Sequence, residues 1–167
     1  GVNPLRGQNN VQGSCDMGSF PHEFVGYRHV SDDTVREQFS TVWGVTLRED
    51  PGMRIPYMLD AAISGEFKGI YIQGEDIAQS DPNTNHVAEA LRSMECVIVQ
   101  DLFLNETSHF AHVFLPGTSF LEKDGTFTNA ERRINRVRPV MTSRTGLSEW
   151  EATCALSEAM GYAMPYE

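Results

Sequence analysis

The residues best suited to bind a ligand follow three apolar runs of the chain. Gly74-Glu75-Asp76 comes after the first run, Gln100-Asp101 after the second and Pro116-Gly117 after the third. A carboxylate such as that of Asp76 can accept two hydrogen bonds from the N1–H and N2 amino edge of guanine, and a glutamine amide such as that of Gln100 can pair with amide-like base edges. These residues indicate a polar ligand site, and purine nucleotide recognition is one chemistry that they support. On spacing alone the alternative stays open that Asp76 and Gln100 only cap helices and strands.

A second group of residues with chemical potential is basic. No acidic residue stands from position 132 to position 148, and this span holds five of the 13 basic residues: Arg132, Arg133, Arg136, Arg138 and Arg144. Such a run suits a cofactor phosphate or an acidic partner subunit, or it forms a solvated face.

The sequence gives little support for other site chemistry. His109 and His112 are spaced as two metal ligands on one helix face can be, but no third ligand is evident, and no metal site is predicted. The dinucleotide motif GxGxxG, the phosphate loop and a serine nucleophile elbow are absent. The cysteines are three, far apart and never in a CxxC pair, which disfavours a zinc ribbon, a disulfide framework or an iron–sulfur cluster built by this chain alone: Cys15, Cys96 and Cys154.

The candidate ligand residues need a scaffold, and the hydrophobic pattern predicts one. Residues 70–72 and 97–99 are short apolar runs typical of covered parallel strands, and VFLPG provides a third at a similar interval. Asp81 before Pro82 is a predicted helix start between the first two runs. The apolar positions of that helix recur at helical spacing: Val87, Ala90, Leu91 and Met94. Strand, helix and strand together form a βαβ unit.

The predicted fold is α/β: an open, Rossmann-like, mostly parallel sheet with flanking helices. One domain is expected over residues 1–167, with a loop-rich segment at 1–30 and an irregular hairpin near 120–137. Asp32 and the capping box Ser148-x-x-Glu151 predict two further helix starts. In open α/β sheets ligands bind outside the carboxyl ends of the strands, which is where the three polar loops would meet.

Composition excludes several function classes. The chain has 167 residues, with 13 Lys and Arg against 23 Asp and Glu, and a net charge of −10 disfavours binding to nucleic acid. No run approaches the roughly 18 apolar residues of a membrane span, and no signal peptide is evident. The unpaired cysteines fit reduced thiols in a cytoplasm. The Gly- and Asn-rich start lacks an initiator Met, so the chain is expected to be an internal piece of a longer protein.

Several sequence segments carry a resemblance to a known family. Residues 6–18 read RGQNNVQGSCDMG, and they are followed in order by YIQGEDIAQSDPN, VIVQDLFLNETSHFAHVFLPGTSFLEKDGTFTNAERR and SEWEATCALSEAMGY. These segments resemble the catalytic (alpha) subunits of molybdenum or tungsten formate dehydrogenases, within the broader molybdopterin oxidoreductase family. The later segments are shared across the broader family, whereas the formate assignment depends mainly on residues 6–18.

The resemblance implies specific roles. The cofactor would be bis(molybdopterin guanine dinucleotide) with molybdenum or tungsten, and Arg6 would stand near the metal and orient formate during its oxidation to carbon dioxide. This would make residues 1–30 an active-site segment. Glu149 and Gly117 depart from the Asp and Ser expected in the family. The implied cofactor contacts are Gln8, Asp76, Ser80, Gln100, Gly117 and Glu149.

The same resemblance implies partners outside the chain. The metal's Cys or selenocysteine ligand and an iron–sulfur region would precede residue 1, and electron-transfer subunits would join the complete catalytic subunit. Two alternatives stay open: a fragment of another family member, such as a nitrate or similar reductase, and a non-catalytic module that binds a guanine dinucleotide cofactor.

Overall fold

The computed structural model describes residue 2 and residues 4–164, which form two compact units. Unit 1 comprises residues 1–54 and 125–137, and unit 2 comprises residues 55–124 and 138–167. The single domain expected over residues 1–167 stays a prediction. The elements follow in chain order: α1 (Val11–Asp16), β1 (Glu23–Phe24), β2 (Arg28–His29), α2 (Asp33–Trp43), α3 (Ile55–Ile63), β3 (Gly69–Gln73), α4 (Ile77–Ser80), α5 (Thr84–Ser93), β4 (Cys96–Asp101), a 3₁₀ helix (Thr107–Phe110), β5 (Val113–Pro116), β6 (Gly125–Thr128), β7 (Ile134–Val137) and α6 (Glu149–Ala159).

Unit 2 contains the parallel sheet, in the order β3-β4-β5. One face of its central strand is covered, because Val97 and Val99 have no exposed surface. Helix α5 packs Val87, Ala90 and Leu91 into the same core. The predicted βαβ unit and the mixed α/β class are therefore confirmed. Within the described part of the chain, no helix is both long enough and apolar enough to cross a membrane.

The start of α5 differs from the prediction. Its N-cap is Asn83, whose side chain accepts from the His86 amide at 3.3 Å, and not Asp81. Asp81 precedes a proline, which disfavours helical backbone, so this residue is extended and its side chain instead accepts from the Asn83 amide at 2.9 Å. The short helix α4 occupies a segment that the sequence predicts to be a loop.

Unit 1 contains α2, whose predicted cap is confirmed. The Asp32 carboxylate accepts from the amides of Thr34 and Val35 at 2.9 and 3.1 Å, and Gly44 ends the helix in a left-handed conformation with φ 67°. The predicted hairpin is also confirmed, since β6 and β7 pair antiparallel.

The first 30 residues are more regular than their sequence predicts, because they contain α1 and the β1–β2 hairpin. The turn that begins α1 depends on one close contact between a side chain and the backbone. Asn10 has left-handed backbone, with φ 61°, and its side chain lies over Gly13, where an added Cβ would stand only 2.2 Å from the Asn10 Oδ1. Glycine at position 13 therefore permits this close approach. A single contact of this kind leaves no periodic pattern in the sequence.

Candidate functional site

The carboxyl ends of the three parallel strands bring the predicted ligand loops together in unit 2. The register pairs Gln73 with Gln100, and Gln100 with Leu115. Backbone hydrogen bonds continue beyond the strands: the Gly74 amide donates to the Gln100 carbonyl, and the Gly117 amide to the Asp101 carbonyl, both at 2.8 Å. The first residues of all three loops thus share one edge of the sheet, as the strand pattern predicts.

Asp76 uses one carboxylate oxygen to hold the fold. Its Oδ1 accepts from the Thr107 amide at 2.9 Å and from the Thr107 hydroxyl at 2.6 Å. Thr107 is fully buried, and its hydroxyl oxygen also accepts from the Ala78 amide at 3.0 Å. The side chain of Asp76 makes no capping bond to α4, but it accepts from the amide of the first residue of the 3₁₀ helix, so the capping alternative stays open for this residue. No hydrogen bond to its second oxygen, Oδ2, is found within residues 4–164, and the residue is only partly buried.

Gln100 is buried, with 2% of its surface exposed, and β3 fixes its orientation. Its Oε1 accepts from the Tyr71 hydroxyl and, at 2.8 Å, from the side-chain Nε2 of Gln73. Tyr71 and Gln73 are missing from the sequence-based candidates. Two signals could have found them: they are two residues apart, so they share a strand face, and Gln73 pairs in register with Gln100.

Ser80 lies at the end of α4 and is exposed. Its hydroxyl donates to the Glu75 carboxylate at 2.6 Å. This bond closes the loop that also carries Asp76. An added Cβ on Gly74, the first residue of that loop, would have no atom within 4 Å, so the loop leaves open space at its start.

Glu149 is bound to the third loop from the first turn of α6. Its Oε1 accepts from the Thr118 amide at 3.0 Å, and its Oε2 accepts from the Thr118 hydroxyl at 3.0 Å and from the Lys123 ammonium at 2.7 Å. Gly117 is packed closely, since an added Cβ would stand 3.3 Å from the Asp101 carbonyl carbon and 3.4 Å from the Glu149 Oε1. Both oxygens of Glu149 are therefore engaged within the chain, and a direct cofactor contact by this residue stays a prediction.

Burial alone would raise the pKa of Glu149, but the hydrogen bond from Lys123 and the backbone hydrogen bonds outweigh burial, and the pKa lies below its usual value of 4.5. A carboxylate whose pKa is lowered by folding stabilises the folded state above its unfolded pKa, and this contribution is lost as the pH falls through the folded pKa. We expect amide exchange protection of residues 117–123 in the full-length protein to fall below about pH 4.5.

Hydrogen exchange of that segment, corrected for the intrinsic pH dependence, measures this effect. Glu149→Gln removes the charge, so this variant should show weaker protection at neutral pH and little change on acidification. Wild-type protection that matches Glu149→Gln throughout the pH range would contradict the role given to this carboxylate.

Arg6 and Gln8 both lie in unit 1, where they line a groove of 390 Å³. Arg6 is exposed, so its guanidinium is accessible to an anion. The other polar walls are mainly carboxamides, which both donate and accept hydrogen bonds: Asn9, Asn10, Gln12, Asn129 and Asn135. The groove therefore combines a permanent positive charge with neutral hydrogen-bonding groups.

The arginine run does not form one continuous feature within a unit. Arg132 and Arg133 belong to unit 1, whereas Arg144 belongs to unit 2. Arg132 lies 3.6 Å from Asp16, and Arg133 lies 3.3 Å from Glu131. The interpretation of the whole run as one anion-binding stripe therefore stays a prediction.

His112 has a structural contact, since its Nδ1 accepts from the Val97 amide at 3.0 Å. No group of three or more His, Cys, Asp or Glu side chains suited to a metal ion occurs in the part of the chain that the structure describes.

The family follows from the whole sequence. Residues 2–159 match the model of the molybdopterin oxidoreductases. This chain belongs to the molybdopterin oxidoreductase family. It is 46% identical over 162 residues to the F420-dependent formate dehydrogenase 1 subunit alpha of Methanococcus maripaludis, covering 96% of this chain and 24% of that protein. It is 42% identical over 168 residues to formate dehydrogenase H of Escherichia coli, covering 99% of this chain and 24% of that protein. The chain thus spans about a quarter of the length of these relatives.

A solved structure of the acetylene hydratase from Pelobacter acetylenicus has a similar fold, with a TM-score of 0.60 and 20% identity over 76% of this chain and 19% of the other. Family membership implies a molybdopterin cofactor, and polar side chains at the sheet edge of unit 2 fit a group that forms hydrogen bonds. The carboxylate oxygen of Asp76 and the hydroxyl of Ser80 offer polar contacts beside the open space at Gly74.

Proposed function

We propose that this chain is part of the catalytic subunit of a formate dehydrogenase, which oxidises formate to carbon dioxide. The observation that carries the proposal is the 42–46% identity over almost the whole chain to relatives named as formate dehydrogenases. The activity belongs to the complete subunit, to which this chain would contribute cofactor contacts and one substrate-binding arginine.

Arg6 is proposed to bind and orient formate. Formate is a small planar carboxylate, and a guanidinium offers it two parallel donors with a charge that does not titrate near neutral pH. Oxidation of formate releases carbon dioxide, two electrons and one proton, and the bound molybdopterin with its metal supplies the acceptor for the electrons. A fixed positive charge beside the substrate binds the formate carboxylate and holds its C–H bond in one orientation, while the oxygen atoms lose negative charge as carbon dioxide forms.

The sheet edge of unit 2 is proposed to hold the guanine end of one cofactor. The Asp76 Oδ2 would accept from the guanine N1–H and amino group, while Ser80, Gln100 and the backbone of Gly117 would make the neighbouring contacts. Glu149 would act at the same loop, and Gln8 would contact the cofactor from unit 1. The complete cofactor would be bis(molybdopterin guanine dinucleotide) with molybdenum or tungsten.

The proposal also covers what lies outside this chain. Electron-transfer subunits would receive the electrons, an iron–sulfur cluster would be bound by another region of the catalytic subunit, and the enzyme would work in the cytoplasm. The reduced cysteines predicted from the sequence agree with such a compartment.

The test is a substrate comparison with the full-length, cofactor-loaded subunit. Reduction of a viologen dye by formate and reoxidation of the reduced dye by nitrate are measured side by side. We expect formate to support turnover and nitrate to give none. Nitrate-dependent turnover without formate oxidation would favour the reductase alternative, and a loaded protein inactive with both substrates would favour the non-catalytic module.

A further inference from the structure

Three non-glycine residues of unit 1 have left-handed backbone, and they cluster around one side-chain network. Asn10, Tyr27 and Arg132 each have φ 61°. For tyrosine and arginine this region is disfavoured by contacts of the Cβ atom, and it persists only where the surrounding structure fixes it. Such residues concentrate at functional sites, so the interactions that fix Tyr27 and Arg132 are informative.

The network is centred on Asp16, at the end of α1. The Tyr27 hydroxyl donates to the Asp16 Oδ1 at 2.7 Å, and the side-chain Nε2 of Gln12 donates to the same oxygen at 2.8 Å. Gln12 is buried and its nitrogen also lies 2.8 Å from the Tyr27 oxygen. Arg132 reaches the network from the turn between β6 and β7: its guanidinium lies 3.6 Å from Asp16 and 5.5 Å from the centre of the Tyr27 ring.

The network connects directly to the segment that carries Arg6. Asn10 joins that segment to α1, and its side chain accepts from the Thr128 amide of β6 at 2.9 Å. Gln12 lines the same groove as Arg6, together with Asn129 from the β6–β7 turn. The network thus fixes both walls of the groove, one through α1 and one through the turn.

The electrostatic interactions of Asp16 also include Arg6. The hydrogen bond from Tyr27 lowers the pKa of the Asp16 carboxyl, burial opposes this change, and the charges of Arg132 and Arg6 lower the pKa further. The Arg6 guanidinium is therefore close enough to interact electrostatically with the network. Asp16 attracts both arginines, and of the two Arg6 lines the groove.

We propose that Asp16, Tyr27 and Arg132 form a clamp that positions Arg6 for the substrate. This inference rests on the proposed function, because it gives Arg6 the substrate-binding role. The three are positioning residues, since they act through the segment that carries Arg6. The Tyr27 side chain links the other two, because its hydroxyl binds Asp16 while its ring lies against the Arg132 guanidinium.

The test uses the full-length, cofactor-loaded enzyme and the variant Tyr27→Phe, which removes one hydroxyl and keeps the ring under Arg132. We expect the KM for formate to rise and kcat/KM to fall by about 10²-fold, as misplacement of a binding group can cause. Cofactor content should stay at the wild-type level. Amide exchange of residues 4–12 should become faster, while exchange of β3, β4 and β5 stays unchanged.

Tyr57→Phe is the matched control, because Tyr57 is 64% exposed on α3, in the other unit. A double-mutant cycle separates positioning from general structural damage: Tyr27→Phe should cost little further activity in an Arg6→Ala background, since the group that it positions is already absent. Independent, additive losses would overturn the proposal.

The exchange measurement keeps the clamp and the proposed function distinguishable. If formate is not the substrate, faster exchange of residues 4–12 in Tyr27→Phe still supports the clamp. Exchange and KM values equal to those of the wild type and of Tyr57→Phe would overturn the clamp, even where Arg6→Ala abolishes formate turnover.

Discussion

Replacement of Arg6 by alanine in the full-length, cofactor-loaded subunit is expected to lower formate turnover by about 10²–10³-fold. The physical reason is the loss of the permanent charge and paired donors that bind the formate carboxylate and orient it for reaction. Arg6 is exposed in its groove and contributes no burial to a core, so metal and pterin content should stay near the wild-type level. The measurement is steady-state formate oxidation, normalised to cofactor content.

Two variants serve as controls for that result. Arg48→Ala removes an arginine of the same unit whose side chain is 87% exposed and lies 3.6 Å from Asp50, so formate turnover should be unchanged. Arg6→Lys keeps the charge but loses the planar pair of donors, and its turnover should fall between that of the wild type and that of Arg6→Ala. An Arg6→Ala enzyme that retains most of the wild-type turnover would reject the role given to Arg6.

Replacement of Asp76 by asparagine is expected to weaken retention of the cofactor. Asparagine keeps an oxygen that can accept from Thr107, but it places an amino group where the Asp76 Oδ2 stands. An amino group at this position would face the donor edge of guanine, so guanine would lose its hydrogen bond to a charged acceptor. Such bonds contribute about 1.5–3 kcal/mol, which corresponds to about a 10- to 100-fold loss of affinity. The measurement is the GMP released per protein after acid hydrolysis.

Thr107→Val is the matched control, because it alters the other side of the same contact. Thr107 is fully buried, and the loss of its hydroxyl leaves the Asp76 Oδ1 with one bond fewer and the Ala78 amide unpaired. This variant should lower the thermal stability of the protein while the folded fraction still retains its GMP. If Asp76→Asn and Thr107→Val lose stability equally and both keep their GMP, Asp76 is purely structural.

The scaffold of unit 2 could be predicted because its signals are local. The helical spacing of Val87, Ala90 and Leu91 and the apolar runs of β3 and β4 each reflect burial against the same core. The strand ends then determine where the polar loops lie, so the placement of Asp76, Gln100 and Gly117 at one edge follows from the sequence alone.

The side-chain contacts could not be predicted in the same way. The partner of Asp76 is Thr107, 31 residues away, and Glu149 binds Thr118 and Lys123, which are 31 and 26 residues away. These pairings depend on how α6 and the 3₁₀ helix dock, which leaves no periodic pattern. The role of α1 and of Tyr27 in unit 1 was missed for the same reason, because an isolated six-residue helix is too short to be stable without tertiary contacts.

The central claim is that the edge of the parallel sheet in unit 2 holds a guanine. Calorimetric titration of the cofactor-free full-length subunit with GDP, beside an identical titration with ADP, tests this claim most directly. We predict binding of GDP, no comparable binding of ADP, and loss of the GDP signal in Asp76→Asn. Equal affinity for the two nucleotides, or GDP binding that is unchanged in Asp76→Asn, would contradict the claim.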